Sequence, residues 1–385
     1  MNIALNVNTR IYRIAISAFF FVAGLTFATW ASRIPDIKTK LHLSDAGLGL
    51  ILFALPVGQI VSLPISAALV SRLGSRTLII VGALLYPLTL VLLAVSGTPW
   101  LLAVSLFVFG LWANLLNIAM NTQAVAVESI YGRSIMASFH GIWSMAGFTG
   151  AVIGTLFVSV ALSPLVHFSI ICLVTGMLVW AANRYTVPSD NAGDSTKKQP
   201  LFVRPDKRIL ILGLIAFCCM VCEGAMADWS GVYYQKVVQS REALTTIGYV
   251  AFMSTMATGR FAADWLVTKF GVVRILKISG ILIAMGLLTA VLFPNIIAAT
   301  IGFLLVGFGV SSVVPIVYGL AGKSTNMSPS AALAAVSTIS FLGFLIGPPV
   351  IGFIAELSNL RISFILIALL GLGTTLLASK TKNIV

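Results

Sequence analysis

Two carboxylates stand inside a long apolar run, Cys222-Glu-Gly-Ala-Met-Ala-Asp-Trp-Ser-Gly-Val-Tyr-Tyr234, in a chain of 385 residues that has only 11 acids. Read as a helix, the run places Asp228 about 7.5 Å beyond Glu223 and about 140° around the axis, so the two cannot both face one narrow seam. A carboxylate at the centre of a bilayer costs about 2.5 kcal/mol or more, so it must meet water, a cation or a proton. Withdrawn from water it holds a proton more readily, which suits proton exchange near neutral pH. Glu223, the deeper of the two, is expected to carry the proton, and Asp228 to touch a solute or a gate. Two other readings stay open. Arg260, the one basic residue well away from the ends of an apolar run, could pair with Glu223 or bond Asp264 one turn away, and Asp228 could cap structure near the outer surface.

Other polar groups recur at helical spacing. Asn114, Asn117 and Asn121 follow an i, i+3, i+7 pattern that aligns three amides on one stripe. Amides both donate to and accept from hydroxylated solutes; helix-to-helix hydrogen bonding, worth about 0.6 kcal/mol on average, is the other reading. His140 lies four residues before Ser144 and could carry a proton at physiological pH, or simply pack. Trp30 and Trp229 stand in matched positions, either as interfacial anchors or as rings that stack on a sugar-like solute or gate it. Gly347-Pro348-Pro349 is expected to break a hydrogen-bond ladder and bend a helix that takes part in gating.

The elements that must position these groups follow from composition. Hydrophobic residues make up 59% of the chain and charged ones 9%, with a mean hydropathy of +1.04, which excludes a water-soluble globular surface. Runs of roughly 20 apolar residues, enough to cross about 30 Å of hydrocarbon, occur twelve times: 11–31, 46–70, 77–97, 100–126, 134–160, 162–182, 208–234, 244–267, 275–294, 296–320, 329–355 and 359–379. The first is read as a retained span, since no small-x-small cleavage site precedes Ser32. The net charge of +13 is not a nucleic-acid signature here: 17 of the 24 basic residues fall on one side of the spans, which predicts that both termini are cytoplasmic. Cys172, Cys218, Cys219 and Cys222 all lie in apolar runs and read as small hydrophobes. No cofactor or metal is expected.

The long polar stretch from Asn183 to Arg208 reads as a cytoplasmic linker. It separates an N-terminal bundle over 1–182 from a C-terminal bundle over 208–385, with the linker at 183–207. Three patterns recur in register across that division. Ala28-Thr29-Trp30 returns as Ala227-Asp228-Trp229, 199 positions on. Gly147-Phe148 returns as Gly343-Phe344 after 196, and Arg72-Leu73-Gly74-Ser75-Arg76 as Lys269-Phe270-Gly271-Val272-Val273-Arg274 after 197.

With these repeats the chain resembles the major facilitator superfamily of secondary transporters over essentially its full length. The loops around Gly74 and Arg76 and around Gly271 and Arg274 look like that superfamily's signature between helices two and three and its echo. Ser71 and Thr268 stand where the signature has an acid, so the acid-to-helix-dipole latch of the family is either absent or supplied by another group. Ala28 to Pro35, His140-Gly141-Ile142-Trp143-Ser144 and Glu223 to Trp229 together resemble the MosC/YbjJ-like group, whose characterised association is with rhizopine, an aminated inositol.

The resemblance implies an all-α membrane protein of twelve transmembrane helices in two pseudo-symmetric six-helix bundles. It also implies alternating access around a site near the bilayer midplane. The expected function is secondary, proton-coupled transport of a sugar, polyol or amino-sugar-like solute across the bacterial inner membrane. The expected partners are that solute, protons and the lipid bilayer, with no nucleic acid and a monomeric carrier. Proton-driven efflux of amphipathic or cationic drugs is the rival within the class, and a non-transporting solute sensor the rival outside it. No phosphate loop G-x-x-x-x-G-K-[ST] is present, and no nucleophile or metal set of an enzyme assembles.

Overall fold

The computed structural model describes residues 9–132, 135–188, 205–324 and 327–380, leaving aside the side chains of Asp264, Pro329 and Ser330. The described residues are helical with no strand. In chain order the helices are α1 (Thr9–Ala31), α2 (Ile34–Lys40), α3 (Asp45–Leu52), α4 (Ala54–Leu73), α5 (Ser75–Val95), α6 (Pro99–Tyr131), α7 (Met136–Ser159) and α8 (Pro164–Ala182). They continue with α9 (Lys207–Lys236), α10 (Ile247–Phe270), α11 (Val272–Leu292), α12 (Ile296–Ser311), α13 (Val313–Ala321), α14 (Pro329–Leu357) and α15 (Leu360–Ser379).

Eleven stretches of the described residues are long and apolar enough to cross a membrane. α10 is the twelfth expected span. It forms a helix of 24 residues whose apolarity is diluted by Arg260, Asp264 and Lys269. Two expected spans are each made of two helices, α3 with α4 and α12 with α13, interrupted at Phe53 and Ser312. Each interruption lies three residues before a proline, Pro56 or Pro315, whose ring excludes the preceding carbonyl and whose nitrogen has no proton to give. α14 runs through Gly347, Pro348 and Pro349 as far as Leu357.

The repeat read from sequence reappears as geometry within each half of the chain. Gly74 joins α4 to α5 at φ 79 and ψ 149, and Gly271 joins α10 to α11 at φ 79 and ψ 150. That backbone region is open essentially to glycine alone. A Cβ at either position would meet nothing within 4 Å, so the dihedral and not crowding is what demands glycine. A second match lies in helix packing. A Cβ on Gly110 of α6 would sit 2.1 Å from the carbonyl oxygen of Leu55 on α4, and one on Gly307 of α12 2.2 Å from that of Phe252 on α10. Both members of this contact are displaced by 197 positions.

The described residues fall into two compact units. One draws on Met1–Trp30, Ala54–Gly150 and Leu162–Thr196, the other on Ala31–Phe53, Ala151–Ala161 and Lys197–Val385. The first holds most of α1, then α4 to α6, the body of α7, and α8. The second holds α2, α3, the end of α7 and α9 to α15. Its core is aromatic at one end of α9: Tyr233 stacks on Phe364 at 4.4 Å and lies 5.9 Å from Phe303. The Tyr233 hydroxyl donates to the Ala290 carbonyl at 2.9 Å, and the Tyr234 hydroxyl pairs with Thr300 at 2.7 Å.

Candidate functional site

In the first unit the amide stripe on α6 divides into two parts. The Asn121 amide donates to the backbone carbonyl of Asn117 at 2.8 Å and to its side-chain oxygen at 3.0 Å, which leaves Asn117 exposed and partly satisfied from within the stripe. Asn114 is 6% exposed, and its amide nitrogen has no partner. Trp30 at the end of α1 is 1% exposed, with its indole nitrogen also without a partner. Its ring lies 6.5 Å from Phe109 of α6. So enclosed a ring has no lipid-facing surface with which to anchor, and its N–H, like that of Asn114, is a buried donor in want of an acceptor.

His140 is exposed and meets Phe20 edge-on at 5.4 Å. The Ser144 hydroxyl donates to the backbone carbonyl of His140 at 3.1 Å. A buried polar clamp that the sequence did not single out sits on the same unit. Gln123, fully buried, donates to Ser75 at 2.8 Å and to the Val187 carbonyl at 3.1 Å, and accepts from the Val187 amide at 2.8 Å. It fastens the chain just beyond α8 to α5 and α6.

In the second unit Glu223 and Arg260 meet. Their closest atoms are 3.4 Å apart, with Arg260 20% and Glu223 12% exposed. The pairing left open by the sequence is therefore made, through Oε1; Oε2 has no partner. The side chain of Asp264, the other expected partner of Arg260, lies outside the described residues. Asp228 lies in the last third of α9, half-buried, with no hydrogen bond or ion pair among the described residues. Its neighbour Trp229 is fully buried, and the Trp229 indole nitrogen and the Ser230 hydroxyl are both without partners.

Tyr249 on α10 is a residue the sequence reading passed over. It is 2% exposed, and its hydroxyl has no partner. Nothing in a tyrosine within an apolar run distinguishes it from a core aromatic, which is why pattern reading missed it.

A second charged cluster lies at the ends of α2, α3, α9 and α14. Asp45 accepts from Lys38 at 2.7 Å and from Lys236 at 2.8 Å and 2.9 Å. Burial pushes the Lys38 ammonium below its ordinary value, against the pull of Asp45. The Glu356 carboxylate accepts from the backbone amides of Asp45 and Ala46 at 2.9 Å and 3.3 Å, at the positive end of α3. Glu128 does the same for α7, accepting from Ile135 and Met136 at 2.7 Å and 2.8 Å. Acids thus do sit on helix N-termini in this chain, at places other than Ser71 and Thr268. Arg76 and Arg274 occupy the first turns of α5 and α11 beside the matched glycines. Gly347 and Pro348 are buried in α14, where the Pro348 carbonyl oxygen would lie 2.6 Å from a Cβ on Gly49 of α3.

Comparison with known proteins gives this architecture a family. The model of the Major Facilitator Superfamily matches residues 14–331. An uncharacterized MFS-type transporter of Yersinia pestis is 36% identical over 91% of each chain. The membrane protein MosC of Rhizobium meliloti is 31% identical, over 93% of this chain and 87% of its own. Among solved structures, the nucleoside transporter NupG superposes with a TM-score of 0.74 at 12% identity, covering 97% of this chain and 98% of that one. The E. coli fucose:proton symporter FucP superposes with a TM-score of 0.62 at 19% identity, covering 95% and 97%. The chain belongs to the major facilitator superfamily, resembles MosC within it, and is a membrane transporter rather than an enzyme.

Proposed function

We propose that this transporter moves a small hydroxylated solute, a sugar, polyol or amino-sugar-like molecule, across the bacterial inner membrane by alternating access coupled to protons. The observation that carries the reading is Asp228, a half-buried acid within α9 with no partner among the described residues, in a chain with further buried hydrogen-bonding groups that also lack partners. In the second unit these are the Trp229 indole, the Ser230 and Tyr249 hydroxyls and Glu223 Oε2; in the first unit they are the Trp30 indole and the Asn114 amide. A mixture of donors and acceptors suits a solute whose hydroxyls do both. The symporter of fucose and protons named among the structural neighbours shares the fold alone.

The ion pair changes the division of labour expected from sequence. Glu223 has a cation at 3.4 Å, so its charge is compensated, whereas Asp228 has no paired cation among the described residues and is open to a proton or a solute group. We therefore assign proton exchange and solute contact to Asp228, and to Glu223 a supporting place beside Arg260. Asn117, Asn121 and His140 remain candidates for the path from α6 and α7. The two halves proposed to rock against each other are 1–182 and 208–385, joined by 183–207.

A thermal-shift screen of purified protein against sugars, polyols, amino sugars and cationic drugs tests this. A ligand at a hundred times its dissociation constant stabilises by about 2.7 kcal/mol. The expected result is a shift with a hydroxylated solute that Asp228→Asn and Asn114→Ala both reduce. Shifts with lipophilic cations alone would replace this reading with drug efflux, and solute binding without flux in liposomes would replace it with sensing.

A further inference from the structure

One piece of the N-terminal half packs inside the second unit. Residues 31–53, which hold α2 and α3, leave the first unit after Trp30 and rejoin it at Ala54. Part of their contact with α14 is backbone against backbone. A Cβ on Gly49 of α3 would lie 2.6 Å from the Pro348 carbonyl oxygen, and one on Gly352 of α14 2.5 Å from that of Asp45, so small residues on both sides let the helices touch. The rest of the contact is polar and reaches water. Glu356 of α14 accepts from the Asp45 and Ala46 amides, Lys236 at the end of α9 donates to the Asp45 carboxylate, and the Gln235 amide donates to Thr39 at 3.1 Å. Glu356 and Thr39 are exposed and Lys236 is 46% exposed, so each of these bonds contributes little by itself. The bond between Lys38 and Asp45 is of another kind. Both partners belong to residues 31–53 and are nearly closed off from solvent, so it ties α2 to α3 without crossing to α9 or α14.

We propose that α2 and α3 form a clasp, a preassembled piece held together by Lys38 and Asp45 that fastens to α9 and α14 through Lys236 and Glu356 and lets go when the two halves of the chain move apart. The piece is joined to the first unit at both of its ends, so displacement of that unit pulls on it. The bonds that yield are those already at the water's edge, because water takes the place of each lost partner there. The pair of Lys38 and Asp45 travels with the clasp. Asp45 therefore has two separable duties: through Lys38 it gives the piece its shape, and through Lys236 and the Glu356 cap it holds the piece down. This rests on the reading of two halves that rock against each other.

The test places a thiol under the clasp. Pro348, Gly352 and Ala355 follow helical spacing on one face of α14, the face that Gly49 and Asp45 touch, and Ala355 is 5% exposed. In the purified full chain carrying Ala355→Cys, the rate of reaction with a polar maleimide, assigned by peptide mass spectrometry, reports how often the clasp lifts. Cys222, fully buried in α9, stays unlabelled while the helices are intact. Glu356→Gln is expected to speed labelling about two- to fivefold, the size of a charge at a helix terminus, and Lys236→Met to speed it by less. Lys38→Met should not speed it, because Asp45 is then left to Lys236, although the bond it removes is the more buried one. Labelling as fast with Lys38→Met as with Glu356→Gln would overturn the clasp, since the cluster would then act through the folding of α2 and α3. Equal rates in all variants would remove Glu356 and Lys236 as its fastenings. Uptake from a liposome panel of labelled sugars, polyols and amino sugars, with no labelling in any variant, would mean that the joints at residues 31 and 53 bend while the piece stays fastened; that result overturns the clasp and keeps the rocking halves. Neither uptake nor labelling would overturn both.

Discussion

At the scale of single residues, the chain keeps few charges inside its spans, and each has a distinct circumstance. Glu223 and Arg260 neutralise each other, an arrangement whose removal from one side is worse than its removal from both. Breaking a buried pair strands a charge at a cost of about 3 kcal/mol or more, whereas replacing both partners with apolar groups is often neutral. Arg260→Leu is therefore expected to lower the melting temperature more than the double change Arg260→Leu with Glu223→Leu, as read by thermal unfolding in detergent. A double variant as unstable as the single one would mean that Arg260 acts through contacts other than Glu223. Glu223, Asp228 and Arg260 were legible in the sequence because a charge within an apolar run is conspicuous. Gln123 was not, because its importance comes from neighbours that are remote in sequence: it bonds Val187, 64 positions away.

At the scale of elements, the packing depends on a few close approaches that pattern reading cannot see. The helices α4 and α6, and again α10 and α12, touch backbone to backbone where Gly110 and Gly307 leave room. An added Cβ would lie 2.1 Å and 2.2 Å from carbonyl oxygens, far inside contact distance, so the helices must part. Gly110→Ala and Gly307→Ala are each expected to destabilise by about 1–3 kcal/mol, and thermal unfolding should show losses of similar size if the repeat is physical. A loss in one and none in the other would break the equivalence. The end cluster on α3 offers a separate test. Lys38 and Asp45 are 6% and 9% exposed, while Lys236 is 46% exposed, so the first pair is the one that matters. Asp45→Ala should destabilise strongly by leaving Lys38 buried and unpaired. Adding Lys38→Met should restore much of the loss. Failure of the second change to rescue the first would shift the weight to the Glu356 contact. None of this cluster was predicted: Asp45, next to Ser44, reads locally as an ordinary helix start, and its partners lie up to 311 positions away.

At the scale of the whole molecule, the number of spans and the internal repeat were readable because hydropathy reports burial in lipid directly and because glycine at φ 79 can be recognised from its loop. The division of each of two spans into two helices was not, since Pro64 and Pro87 lie inside continuous helices while Pro56 and Pro315 follow interruptions. The topology proposed from the basic residues puts the linker and both termini in the cytoplasm. A cysteine introduced at Ser195 should accordingly resist a membrane-impermeant thiol reagent in intact cells and react after permeabilisation; reaction in intact cells would reverse the orientation. The central claim, proton-driven movement of a hydroxylated solute through Asp228, is tested most directly in proteoliposomes under an imposed pH gradient. Uptake is measured for labelled sugars, polyols, amino sugars and lipophilic cations. The account predicts that a hydroxylated solute accumulates above its external concentration, that a protonophore abolishes the accumulation, and that Asp228→Asn loses it. Accumulation by Asp228→Asn equal to that of the unaltered protein, or transport of lipophilic cations alone, would contradict it.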